Sequence, residues 1–376
     1  MLEIRRLRRV LMGDINIPKY KDISIVKSKI NQKFNDQQEE TCCALCNKEL
    51  KNNSKSFHKS HTVPFFCLEN IKGIYNKNYG VLNGNFACMR TPFSDKEFIG
   101  TNKAGVFYSI CSKCDQEKFS IYESEEALLK LPPKELVDSL ALKIYLNELF
   151  NSRLRNFKAT INHSELTDDQ LISEFFSNVG KIEQSAIAVD IQDFKEDLDF
   201  AKTSFEKGYS NYRIIFNCIL DYTVPIAAQV AIPISKNVDY SKLQTVNVSN
   251  KKRLEDILVC IFPLKEKSVI IVFSRIDNRL IKKYSKQFKK LSNEDKLKEI
   301  FYLLIRYKAS NFFYSPFLKD ILENENIRGV CSIEDTGMVL GDMTIDLADF
   351  EDRRWKRNLP SLLAKEYSIQ VLSSQK

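Results

Sequence analysis

Two C-x2-C pairs, Cys43-Ala44-Leu45-Cys46 and Cys111-Ser112-Lys113-Cys114, constrain this chain more than any other feature of its sequence. Two thiolates separated by two residues turn readily onto one ion, and two such pairs complete a closed tetrahedral site of the structural-zinc type. Zn2+ is therefore the expected structural cofactor, held by Cys43, Cys46, Cys111 and Cys114. The 64 residues between the pairs exceed ordinary ribbon spacing, so further structure is inserted there. Cys42 competes with Cys43, at three rather than two residues before Cys46. Cys67 follows Phe65-Phe66 and Cys88 stands beside Phe86-Ala87, so both read as small core residues, as do Cys218, Cys260 and Cys331.

The chain opens with a basic stretch (Arg5, Arg6, Arg8, Arg9) that has no apolar run and no small-residue cleavage site. No window reaches the roughly 18 uncharged apolar residues of a membrane span. A soluble, cytoplasmic protein without membrane association is expected, a setting in which ten cysteines favour metal over disulfides. A hydrophobic fraction of 43% supplies a packed interior, and 28% charged residues exclude global disorder. The net charge of +8 favours a polyanionic partner.

With 376 residues, more than one domain is the default expectation. Residues 1–40 form a basic arm, 41–125 a small metal-dependent module, and 126–376 a larger α+β domain. The composition changes after Glu123, and Pro132-Pro133 pre-sets a new helix. From Lys134 to about Thr160 apolar residues recur at helical spacing, and two further helical stretches follow, DDQLISEFFSNV and residues 182–207. The period then changes. YRIIFNCILDY, PIAAQVAIPI, DILVCIFPL and SVIIVFSR are short, β-branched and bounded by turn residues, so an antiparallel sheet is expected, with residues 264–267 as a hairpin turn. Ser292 with Asp295 three residues on resembles a capping box and starts another helix.

Between the cysteine pairs lies Ser60-His61-Thr62-Val63-Pro64, and the second pair runs into Asp115-Gln116-Glu117-Lys118. Together these residues resemble the HNH (ββα-metal) endonucleases over residues 41–125, about a quarter of the chain. The resemblance implies a small zinc-stabilised, treble-clef-like ββα module. It also implies a general base at His61, a catalytic Mg2+ or Mn2+ ligand at Asp115 and a phosphate contact at Lys118. On that reading the chain cuts DNA, plausibly in bacterial anti-phage defence, while residues 126–376 sense a trigger, bind a protein partner or mediate homo-oligomerisation. The sequence departs from the family at Ser60, where a carboxylate is common, and at the middle Asn, for which Asn102 is the nearest and poorly spaced candidate. The alternative is a catalytically degenerate zinc module that serves nucleic-acid or protein binding.

His58 reads as a surface residue, and Glu123 as a structural anchor two turns along the helix of Asp115. Arg5, Arg6, Arg8 and Arg9 are candidate nucleic-acid contacts, and Lys283, Lys286 and Lys290 of KYSKQFKKL would share a helix face, most simply a solvated one. The aromatic run SNFFYSPF, residues 310–317, is expected in a core or interface.

Overall fold

A computed structural model describes residues 29–30, 32–34, 42–49, 58–75, 77–84, 98–161, 170–208, 210–244, 254–333, 338–340, 343–345 and 347–374, with side chains left out at 170–186 and 338–351. The architecture is α+β, and an eight-stranded antiparallel sheet forms its centre. Four strands are those expected from the β-branched runs: β6 (Tyr212–Leu220), β7 (Ile226–Ile232), β8 (Ile257–Pro263) and β9 (Ser268–Arg275). The turn joining β8 to β9 is closed by Leu264 N–H donating to the Lys267 carbonyl at 2.8 Å.

Every residue of β7, β8 and β9 is buried, because both faces of the sheet are covered. Side chains alternate across a strand. Ala227, Leu258, Cys260, Phe262, Ile271 and Phe273 therefore join one core, and Ala228, Val259, Ile261, Ile270 and Val272 join the other. The first core packs under α4 (Pro133–Thr160) and α5 (Gln170–Lys207), which run together as a long hairpin. The second packs under α6 (Arg279–Phe288) and α7 (Asn293–Arg306). Ser292 caps α7 as expected, its hydroxyl accepting from Asp295 N–H at 3.0 Å.

The sheet also draws on the cysteine-rich segment. β2 (Gly73–Tyr75) pairs with β3 (Asn78–Asn83), β3 pairs with the short β4 (Phe98–Ile99), and β10 (Phe312–Tyr314) joins β3 to β7. The strand order is β2-β3-β10-β7-β8-β9-β6. The aromatic run around Phe312 is thus a buried central strand, as its composition suggested. A separate two-stranded pair, β1 (Ser60–His61) with β5 (Val106–Phe107), lies outside this sheet.

Two local expectations change. DDQLISEFFSNV and residues 182–207 belong to one continuous helix, α5, which runs through Gly180. A helical glycine costs only about 1 kcal/mol relative to Ala, and the contacts of α5 with α4 along the hairpin are enough to outweigh it. Glu123 does not share the helix of Asp115: α2 (Ser112–Phe119) gives way to a 3-10 turn, Ser120–Tyr122, before Glu123 is reached.

Candidate metal centre and its surroundings

The first cysteine pair sits in a tight turn in which Asn47 N–H donates to the Cys43 carbonyl and Cys43 N–H to the Lys48 carbonyl, both at 2.9 Å. Asn47 takes a left-handed backbone (φ 53°), which asparagine tolerates better than most residues. The second pair opens α2, with Cys111 at its N-cap and Asp115 N–H bonded to the Cys111 carbonyl at 3.0 Å. Ala44 N–H bonds the Ser109 carbonyl at 2.9 Å, which draws the two turns together.

Cys43, Cys46, Cys111 and Cys114 then place their sulfurs within 4.8 Å of one another. Cys46 Sγ and Cys111 Sγ are 3.9 Å apart. A tetrahedral zinc with Zn–S bonds near 2.3 Å sets its sulfurs about 3.8 Å apart, so this cluster has the dimensions of the ion. Burial first, and then the neighbouring thiols of Cys46 and Cys111, push the Cys114 thiol far above its ordinary value, and a coordinated cation reverses that preference. Cys43, Cys111 and Cys114 are buried while Cys46 is exposed. Of the two neighbours, Cys43 joins the four-sulfur cluster, while Cys42 pairs by backbone bridge with Glu49. Cys67, Cys260 and Cys331 are buried core residues, Cys218 is half-buried in β6, and Cys88 lies outside the described residues.

Beside this cluster, β1, β5 and α2 bring together most of the sequence-selected polar residues. His61 Nδ1 lies 3.1 Å from the Ala104 carbonyl, which can only accept, so Nδ1 carries the proton and Nε2 the lone pair. Burial pulls the His61 imidazole below its ordinary value. The Ala104 bond opposes that shift, and Lys59 and Lys143 add to it, so the ring is neutral at neutral pH. Phe65, at the start of α1 (Phe65–Ile71), packs against the ring at 5.4 Å between centroids.

Asp115 is buried and fully engaged. It accepts from Ser60 Oγ at 2.5 Å, lies 3.3 Å from His58 Nε2 and lies 3.7 Å from Lys143 Nζ. Lys143 comes from the buried face of α4, where its side chain is 1% exposed. Its ammonium also sits 2.9 Å from Glu123 Oε1 and over the rings of Phe119 and Tyr122, at 4.6 and 5.8 Å. Glu123 is thus the structural anchor expected of it, held by a residue that sequence reading passed over. The signal was present: a lysine in the otherwise apolar row ALKIYL is an anomaly in a buried helix face. His58 is half-buried beside Asp115, which ties it to the site more closely than the surface position expected.

Lys118 places its ammonium over the Phe205 ring of α5 at 4.4 Å. Asn102 is exposed in the turn that carries the Ala104 carbonyl. Arg5, Arg6, Arg8 and Arg9 lie outside the described residues. In the second basic stretch, α6 buries Tyr284 and Phe288 and exposes Lys283 and Lys286, but it ends at Phe288, so Lys290 stands beyond the helix. Among the described residues, no helix is long and apolar enough to cross a membrane. No protein-family model matches the chain, and no curated protein or solved structure matches it either.

Proposed function

We propose that the zinc unit is a docking module for nucleic acid and does not itself cut it. One observation carries this reading: the Lys143 ammonium lies between Asp115 and Glu123, where a hydrolytic metal would have to bind. A buried cation already sits against both carboxylates, and Ser60 and His58 occupy further contacts of Asp115. A divalent ion placed there would face an ammonium at close range in a medium that screens poorly, so the two cations exclude one another. The four cysteines would hold Zn2+, which at such a closed site supplies folding energy and has no open position for substrate. Lys48, Lys59, Lys103 and Lys113 are exposed on the unit, and the whole chain carries +8, which suits a polyanion.

The test is to mix full-length protein with labelled DNA across a salt series, with Mg2+ and then Mn2+. Binding that weakens steeply with salt, and DNA that stays intact, is the expected result. Cleavage by the wild type that is lost in His61→Ala would overturn the proposal.

One observation favours the endonuclease reading as the second choice. β1 pairs with β5 and α2 follows β5, which would suit a ββα unit with α1 and β2–β4 inserted, and His61 keeps a neutral imidazole whose Nε2 lone pair suits a general base. That reading requires Asp115 to exchange Lys143 for Mg2+ or Mn2+ when DNA binds. Residues 126–376 would then sense a trigger, as an anti-phage nuclease would need.

A further inference from the structure

We infer that the surface running from the β2–β3 hairpin to His61 is a platform for single-stranded nucleic acid, with Tyr79 and Phe65 as stacking rings and Lys59 and Lys103 as phosphate contacts. The inference rests on the nucleic-acid reading above and adds the strand form and the residues.

The platform begins at the hairpin. Ile74 and Tyr79 face one another across β2 and β3, and each is 61% exposed. Lys72 sets its ammonium 5.5 Å from the centre of the Tyr79 ring. Exposing this much aromatic and aliphatic surface contributes nothing to the core, and its position beside a cation marks a contact surface.

The link to His61 runs along α1, where Phe65, Glu69 and Lys72 recur at helical spacing, and through the turn 100–105. Gly100 follows β4 and abuts the Tyr79 carbonyl, so the turn 100–105 starts beside the hairpin. Lys103 N–H and Ala104 N–H both bond the Gly100 carbonyl, at 2.8 and 3.2 Å, which fixes the turn and leaves the Lys103 side chain exposed. The same turn ends on β1: the Gly105 carbonyl accepts from Thr62 N–H at 2.8 Å and Thr62 Oγ1 at 2.7 Å, and the Ala104 carbonyl meets His61. Phe65, 39% exposed, packs tilted against His61, and Lys59 is exposed immediately before β1. Glu69 pairs with Lys72 at 2.6 Å and bonds Thr101, so those two charges offset one another and the positive character rests on Lys59 and Lys103.

Rings and cations in alternation suit a strand whose bases are unstacked. A duplex hides its base faces and asks only for charge, whereas each free base gains from an exposed ring. The turn 100–105 thus joins two stacking positions through a lysine, as a flexible strand would need to run from one to the other.

The test is fluorescence anisotropy of the full chain with a labelled oligothymidylate of about 15 nucleotides and a duplex of equal length, over a salt series. The wild type should bind the single strand about tenfold more tightly than the duplex. Tyr79→Ala should weaken single-strand binding by about tenfold, with duplex binding little changed and Tyr79→Phe restoring the affinity. Lys103→Glu should weaken both ligands and flatten the salt dependence. Zinc content and melting temperature, both unchanged, confirm that these exposed substitutions leave the fold intact. Equal affinity for the two forms sinks the inference and leaves the docking reading standing. So does an unaltered single-strand affinity in Tyr79→Ala, or the loss of a protein contact in its place. Failure to bind either form sinks both.

Discussion

The central sheet and the zinc unit beside it are secured by different physics. On one face, β7–β9 meet α6 and α7 through a continuous apolar core, and the principal charged group there, Asp352, is enclosed by Arg306 Nε at 2.7 Å, Tyr302 OH at 2.8 Å and Lys236 Nζ at 3.2 Å. The other face is just as apolar under α4 and α5, but the zinc unit reaches it through short elements, the two-residue β1 and β5 and the helices α1 and α2. That unit depends on the cysteine cluster and on Lys143, Asp115 and Glu123. Where apolar area is plentiful, a buried charge cluster adds geometry to a core that already holds. Where the elements are short, metal and charge add to the apolar contacts that hold them.

The sharpest way to break the comparison is to remove the metal. A structural zinc contributes on the order of 10 kcal/mol in small modules. Chelation, or Cys114→Ser, is expected to abolish zinc binding and release amide protection across residues 58–61 and 104–119. The β7–β9 amides should keep theirs, since their strands are buried on both faces. Hydrogen exchange followed by mass spectrometry reads this directly. Simultaneous loss of protection in β7–β9 would show that the sheet and the zinc unit are one cooperative unit.

Next in size come the two charge clusters. Asp352→Ala leaves Arg306 and Lys236 buried without their carboxylate, and Lys143→Ala leaves Asp115 and Glu123 without their ammonium. Each should cost about 3–5 kcal/mol in denaturant unfolding. The discount differs: Glu123 is partly exposed and can take up water, so the Lys143 loss should fall at the lower end. A larger loss at Lys143 would reverse that ranking.

The smallest effect isolates one group. Glu148 on α4 is buried and accepts from Ser310 Oγ at 2.5 Å. Burial raises its carboxyl to about 7, against the lowering effects of Ser310, Arg155 and Asn311. A carboxyl raised in the folded state favours folding fully below about pH 4.5, and this contribution is lost as the pH climbs through 7. Glu148→Gln keeps an acceptor without the charge. The variant should match the wild type near pH 4 and exceed it above pH 8 by at most about 3 kcal/mol in urea unfolding. A constant difference across the range would remove Glu148 as the titrating group.

Much of this was legible in the sequence. The cysteine spacing identified the metal ligands, and β-branched runs bounded by turn residues located β6 to β9, because each signal is local. The connection of β2 and β3 to β10 was not legible. Three-residue strands such as Phe312–Tyr314 take their conformation from partners remote in sequence, here β3 and β7, and nothing within them announces the pairing. The surroundings of Asp115 were half legible. Its adjacency to Cys114 was visible, but its neutralisation by Lys143 depends on how α4 packs over α2, which no spacing rule conveys.

The 64-residue span between the cysteine pairs also bears on the order of assembly. Closing so long a loop before anything inside it is ordered carries a large entropic penalty, and the ion alone would meet it. The span contains β2, β3 and β4, which are stitched into the central sheet through β10. Once those strands dock, most of the slack is gone and the two turns stand near one another. Knuckles already gathered by the sheet spare the ion most of that closure cost.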